Sequence, residues 1–255
     1  MARITSLQNP RVKDAVRLRD GRHRQKQGRI LIEGRRELAR AVEAGVNILE
    51  LFVHELPSEG LPDCAAEIID VSKPVFEKLS FGSRAEGVLA VAETPRPKLD
   101  EAELPDAPLV AVLEGVEKPG NVGAVLRSAD AAGVSALIVA DAGTDLFNPN
   151  AIRASLGAIF TVPTFAATAA ETLDWLRRQK LNIFAARVDG SIPYAEADYR
   201  GGCAIVLGAE ATGLTSTWTT DDTTAIRLPM LGEVDSLNVS ATAAVLFYEA
   251  LRQRM

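Results

Sequence analysis

The sequence predicts an α/β protein in two parts, a smaller N-terminal α/β unit followed by a doubly wound, mostly parallel sheet. Three observations predict it. Apolar runs of strand length alternate with segments of helical periodicity through the second part of the chain. Those runs are continuous in Val, Ile, Leu and Ala, as strands buried on both faces require. Between residues 94 and 108, four prolines and a run of acids can hold neither a strand ladder nor a long helix, so the chain divides there. The expected organisation is residues 1–95 as one domain, 96–108 as a linker and 109–255 as a second domain.

In the first part a basic helical segment is expected over 9–19. Residues 33–44 carry apolar positions at Leu38, Ala41 and Val42 and end at Gly45, placed as a C-cap. Short strands are expected at 49–53, 68–71 and 87–92. In the second part, strands are expected at 109–113, 136–139, 161–165, 182–186, 203–207 and 225–228. Helices are expected between or after them at 121–132, 150–156, 169–179 and 236–252. A sheet of this kind carries its site outside the C-terminal ends of its strands.

Composition sets the class. Hydrophobic residues are 47% and charged residues 24% of the 255, an ordinary globular balance. No apolar run approaches the roughly 20 residues of a bilayer span, and the basic first residues lack the apolar segment of a secretory signal. No membrane association and a cytoplasmic location are therefore expected. Cys64 and Cys203 read as two unpaired, inert thiols, and no metal-ligand spacing is present. The net charge of −6 hides an asymmetry, since residues 1–36 hold eleven Lys/Arg against three acids, a net of +8. A basic arm on an acidic body suits a phosphate-tracking extension; a solvated basic helix is the plainer reading.

Three loops at expected strand ends have unusual composition. In the first, Pro119, Gly120 and Gly123 let the backbone turn sharply, Asn121 can cap the next helix, and Arg127 can swing back to the strand ends. A capped helix with a surface arginine explains the same residues. In the second, a strand runs into Gly208, with Glu210 and Gly213 in the turn. Its glycine spacing is not that of dinucleotide-binding turns, and the P-loop lysine is missing, which disfavours a nucleotide-cofactor oxidoreductase. In the third, Pro229 and Gly232 shape a loop from which Asp235 or Ser236 can cap the last helix. Leu237, Ala241, Ala244, Tyr248 and Leu251 share one stripe of that helix, readable as core or as a subunit interface.

The segments Asn121-Val-Gly-Ala-Val-Leu-Arg127, Leu207-Gly-Ala-Glu-Ala-Thr-Gly-Leu214 and Leu228-Pro-Met-Leu-Gly-Glu-Val-Asp-Ser-Leu-Asn-Val-Ser240 resemble the three motifs of the SpoU/TrmH family of RNA ribose 2′-O-methyltransferases, within the SPOUT superfamily. Arg153-Ala-Ser-Leu-Gly-Ala-Ile-Phe160 is similar to a fourth family segment. Ile4-Thr-Ser-Leu-Gln-Asn-Pro10 and Ile32-Glu-Gly-Arg35 resemble the family's substrate-binding domain. The second motif departs only at Ala209 and Ala211, where small polar residues or glycine are usual and backbone groups do the binding.

The resemblance implies a trefoil-knotted parallel sheet, a smaller N-terminal α/β substrate-binding domain, S-adenosylmethionine as cofactor and a homodimer. It implies that Leu207, Gly208, Ala209, Gly213, Leu228, Met230 and Leu237 line the cofactor pocket, and that Arg11, Lys13, Arg35, Arg36 and Arg153 meet RNA. Asn121, Arg127, Glu210, Ser236 and Asn238 are its implied catalytic group. His23 and His54 lie outside the motifs, so histidine chemistry is not expected. The resemblance implies Arg127 as a base; because a guanidinium loses its proton only above pH about 12, the preferred expectation is that Arg127 holds RNA phosphate and stabilises a forming alkoxide. Large-subunit ribosomal RNA is the expected substrate, with transfer RNA and a non-catalytic RNA-binding protein as alternatives.

Overall fold

Asn9 opens helix α1 (Pro10–Arg17) by accepting the Arg11 N–H, with Pro10 in the first turn where no N–H is needed. Asp20 then caps a second helix, α2 (Gly21–Gln27), which Gly28 closes at φ 62°. The basic helix expected over 9–19 is α1, and the chain turns at residues 18–20 before Asp20 starts α2, which was not expected. The structure, a computed structural model, describes residues 3–55, 61–82 and 86–255. The chain forms two units, Met1–Arg96 with Phe147–Thr161, and Pro97–Leu146 with Val162–Met255.

In the first unit, α2 is followed by β1 (Arg29–Glu33), α3 (Arg35–Glu43), β2 (Ile48–Val53), β3 (Glu67–Asp70), α4 (Lys73–Leu79) and β4 (Val88–Glu93). Glu33, expected to start a helix, ends β1 instead. Gly45, at φ 75°, follows α3 as expected. The sheet order is β1-β4-β2-β3, antiparallel except for the parallel β2–β3 pair. Its core joins Val12, Ala15 and Leu18 to Leu31, Phe52, Phe76 and Leu89.

This packing corrects the expected basic arm. Residues of α1 are core, and β1 is a full sheet strand, so residues 3–36 are folded protein. Several of their cations serve the fold. Arg11 pairs with Glu67 at 2.7 Å and Arg17 with Asp14 at 3.0 Å. Arg19 donates to the carbonyls of Lys78, Leu79 and Ser80, and buried Arg24 donates to those of Leu18 and Arg19.

The chain continues through β5 (Leu109–Glu114), α5 (Pro119–Ala132) and β6 (Ala136–Ala140) in the second unit. Next come α6 (Pro149–Ala154) and α7 (Ala158–Thr161), which pack in the first. Back in the second unit follow β7 (Thr164–Ala167), α8 (Ala169–Arg178), β8 (Asn182–Ala186), β9 (Ile192–Pro193), β10 (Cys203–Leu207), β11 (Thr223–Arg227) and α9 (Val239–Arg254). The seven strands are parallel, in the order β7-β6-β5-β10-β8-β11-β9. The strand expected at 161–165 starts only at Thr164, because Leu156 and Gly157, both at positive φ, break α6 and allow the short turn of α7. Residues 97–108, expected as a linker, lie in the second unit, with Leu99, Ala102 and Leu104 packed on a core that contains Trp175 and Trp218.

Two helix starts differ from expectation. α5 begins at Pro119 with Lys118 as its N-cap residue, and α9 begins at Val239 with Asn238 as its cap. α9 buries Val239, Ala243, Leu246, Phe247 and Ala250. The stripe of Leu237, Ala241, Ala244, Tyr248 and Leu251 is not the core face; Leu237 is 41% and Tyr248 51% exposed.

Candidate active site

The site forms where β5, β10 and α9 bring three loops together. β5 ends at buried Glu114, whose carboxylate accepts the Thr215 N–H at 2.8 Å and the Thr215 hydroxyl at 2.7 Å. This pair ties the loop after β10 to the end of β5. That loop folds back on itself, with the Gly213 N–H donating to the Ala209 carbonyl at 2.9 Å. A Cβ on Gly208 would sit 2.6 Å from the Leu214 nitrogen and closer still to the Gly213 carbonyl, so only glycine fits.

Glu210, at the tip of the fold-back, is the hub. Because α5 starts at Pro119, Asn121 lies in the first turn rather than at the cap, and its Nδ2 donates to Glu210 Oε1 at 3.0 Å. Asn238 caps α9 through Oδ1, which accepts the Ser240 N–H at 3.0 Å, while its Nδ2 donates to Glu210 and to Asn121 Oδ1. Lys118 Nζ reaches the other carboxylate oxygen at 3.2 Å. The Lys118 hydrogen bond, more than the donors from Asn121 and Val239, holds the Glu210 carboxyl below the usual carboxylate range. Asn121, Glu210 and Asn238, one from each expected motif, therefore form one hydrogen-bonded cluster.

Beside this cluster a cavity of about 640 Å³ opens at the ends of β8, β10 and β11. Leu207, Gly208, Ala209, Gly213, Leu228, Met230 and Leu237 all line it, together with Glu210 and Ser236. Its size lies within the range of sites for drug-sized ligands, and apolar side chains alternate with loop backbone around it, as an adenosine-bearing molecule needs. Residues 186–189, which also line it, were missed, although the strand-end rule applied to β8 points to them. Arg187 and Asp189 form a bidentate pair there, at 2.8 and 2.9 Å. Lys118 and Glu114 were missed as well, since their partners lie 92 and 101 residues away.

Arg127 is on the exposed side of α5, outside the cavity lining, and makes no side-chain hydrogen bond or ion pair among the described residues. In the first unit, Lys13, Arg35 and Arg36 are exposed, and none of their side chains is paired among the described residues. Arg11 is held by Glu67. Arg153 is held by Glu33 at 3.2 Å and lies over the Phe81 ring.

Residues 108–248 match the model of the SpoU rRNA Methylase family, and residues 9–90 match that of an MRM3-like substrate binding domain. The 23S rRNA (guanosine(2553)-2′-O)-methyltransferase RlmP of Bacillus subtilis is 27% identical over 97% of this chain and 98% of its own. A crystal structure of an RNA 2′-O ribose methyltransferase is 43% identical, covers 99% of both chains and has a TM-score of 0.86. The SpoU methyltransferase AviRb from Streptomyces viridochromogenes, solved with AdoMet, is 28% identical with a TM-score of 0.89, over 97% of this chain and 98% of its own. The α/β architecture, the three converging motif loops and the family match over more than half the residues lead to one statement: this chain belongs to the SpoU rRNA methylase family.

Proposed function

We propose that the protein transfers a methyl group from S-adenosylmethionine to a ribose 2′-hydroxyl of 23S ribosomal RNA. The cluster of Asn121, Glu210 and Asn238 beside the cavity carries this reading, because it joins three distant loops around one carboxylate. The names of the relatives, which act on 23S rRNA, support the choice of substrate.

When bound, the cofactor supplies an electrophilic methyl group on sulfur. Leu207, Leu228, Met230 and Leu237 hold its apolar face, and the Gly208 to Gly213 turn offers backbone groups to its polar edge. The Glu210 cluster fixes the three loops relative to one another, which is what would position a donor against the hydroxyl. Arg127 holds the RNA phosphate and stabilises the 2′-oxygen as its proton passes to solvent water. Ser236, at the cavity wall, orients the ribose.

The deciding experiment is transfer of labelled methyl from S-adenosylmethionine to deproteinised 23S rRNA and, separately, to bulk tRNA, with the modified nucleotide mapped. Label in a 23S ribose supports the reading; label in tRNA alone, or in neither, overturns it. Gly208→Ala should weaken S-adenosylmethionine binding at least tenfold by calorimetry, since its methyl group would displace the Gly213 backbone. Affinity within twofold of wild type would remove that turn from the pocket.

RNA contact in the first unit is assigned to Lys13, Arg35 and Arg36. Arg11 and Arg153 stand behind them, each already engaged by a carboxylate. Deleting residues 1–30 is no test, because it removes core. Changing Lys13, Arg35 and Arg36 together to Gln should instead flatten the salt dependence of RNA binding by about 2–3 units of log–log slope and leave cofactor affinity alone; an unchanged slope moves the RNA path elsewhere.

The finer assembly belongs to the same proposal. Returning β10 between β5 and β8 supports a knotted path for the C-terminal segment. The exposed apolar residues of α9, Val245 and Tyr248, support a homodimer. A ribosomal RNA substrate supports a cytoplasmic location. Among the described residues no helix is long and apolar enough to cross a membrane.

A further inference from the structure

The geometry points to Lys118 as a phosphate ligand for the RNA beside the reacting ribose, held in reserve by Glu210 until the RNA arrives. This rests on the function proposed above and names a further contact of that same site.

The ammonium lies 3.2 Å from Glu210 Oε2 with its side chain 74% exposed. An exposed pair of this kind is weakly held and easily exchanged. Glu210 does not depend on it for position, because Asn121 and Asn238 both donate to its other oxygen. When Lys118 turns to another anion, the hub keeps two donors and the three loops stay joined.

Charge makes the choice of ligand. Residues 97–255 carry twelve Lys/Arg against twenty Asp/Glu, so their overall field repels a polyanion and local cations must offset it. Most of the second unit's other cations are engaged with groups other than Glu210. Lys98, Arg177, Arg178, Arg187, Arg200 and Arg252 are held by carboxylates. Arg227 and Arg254 are held by backbone carbonyls. Lys180 precedes β8, at the strand ends away from the site. Among the described residues of this unit Lys118 and Arg127 remain, and Lys118 stands at the start of α5, just past the C-terminal end of β5. Of these two cations Lys118 is the one that reaches the hub, so it can report phosphate arrival to Glu210.

The test compares wild type, K118Q and K118R in binding and methylation of deproteinised 23S rRNA across a salt series. K118Q is expected to bind several-fold more weakly at 0.15 M salt, to lose about one unit of log–log salt slope, and to raise KM for RNA more than it lowers kcat. K118R should keep the slope. An unchanged slope in K118Q, or a fall in kcat with KM for RNA unmoved, overturns the proposal and leaves Lys118 a positioning residue for Glu210. The wild-type arm separates the two ideas. If it binds this RNA and transfers no label, the activity reading falls while the slope difference still decides Lys118. If it does not bind the RNA, both fall.

Discussion

Replacing Arg127 with alanine is expected to lower kcat by about 10²–10³-fold, the largest functional effect of any single change in this protein. The side chain is exposed and makes no hydrogen bond or ion pair among the described residues, so its loss costs the fold little. On the role proposed above, what is lost is the positive charge offered to the 2′-oxygen as it becomes negative. Arg127→Lys keeps the charge but not the planar fork, and is expected to recover only a small part of the rate. Single-turnover methylation with saturating RNA reads the chemical step directly. Near-normal turnover of the lysine variant would show that bidentate geometry is not needed, and near-normal turnover of the alanine variant would remove Arg127 from the reaction.

The largest effect on stability is expected from Glu33→Ala. The Glu33 side chain is 1% exposed and accepts from the N–H groups of Phe81 and Gly82 at 3.1 and 3.0 Å, from the Ser80 hydroxyl and from Arg153. Removing it strands two amide donors and a guanidinium that is three-quarters covered. Breaking such an arrangement costs about 3 kcal/mol, somewhat below the full buried-pair value because Arg153 keeps some water. Arg153 lies on α6, so the same change loosens the hold of Phe147–Thr161 on the first unit. Denaturant unfolding of the variant, followed beside an exposed control such as Glu101→Gln, measures it. A loss below about 1 kcal/mol would mean that this carboxylate does not organise the unit.

Much of this was legible because it is local. Continuous apolar runs marked β5, β6, β8 and β10 to within a residue or two, since burial on both faces leaves no room for alternation. Residues with one chemical reason to sit at a strand end, Gly208 and Glu210 among them, were legible too, and the seven expected pocket residues line one cavity. Other elements misled. α9 is apolar on nearly every side (Val239, Ala243, Val245, Leu246, Phe247 and Tyr248), so periodicity could not choose its buried face. The expected caps Asn121 and Ser236 failed because Pro119 could start α5 two residues earlier and Asn238 could cap α9 two residues later.

The sequence by itself determined the α/β class, the division near residue 96, the three loops and the family to which they belong. The tertiary structure alone decided that Glu210 is the hub, that Lys118 reaches it, that Glu114 anchors Thr215, and that Glu33 takes Arg153 into the first unit. It also decided that the basic segment is folded, with Arg19 and Arg24 spent on backbone carbonyls. The physical reason is range. Propensity and periodicity act over one or two turns of chain, whereas a charge or amide takes whichever partner the fold brings within about 3 Å, here as many as 147 residues away along the chain.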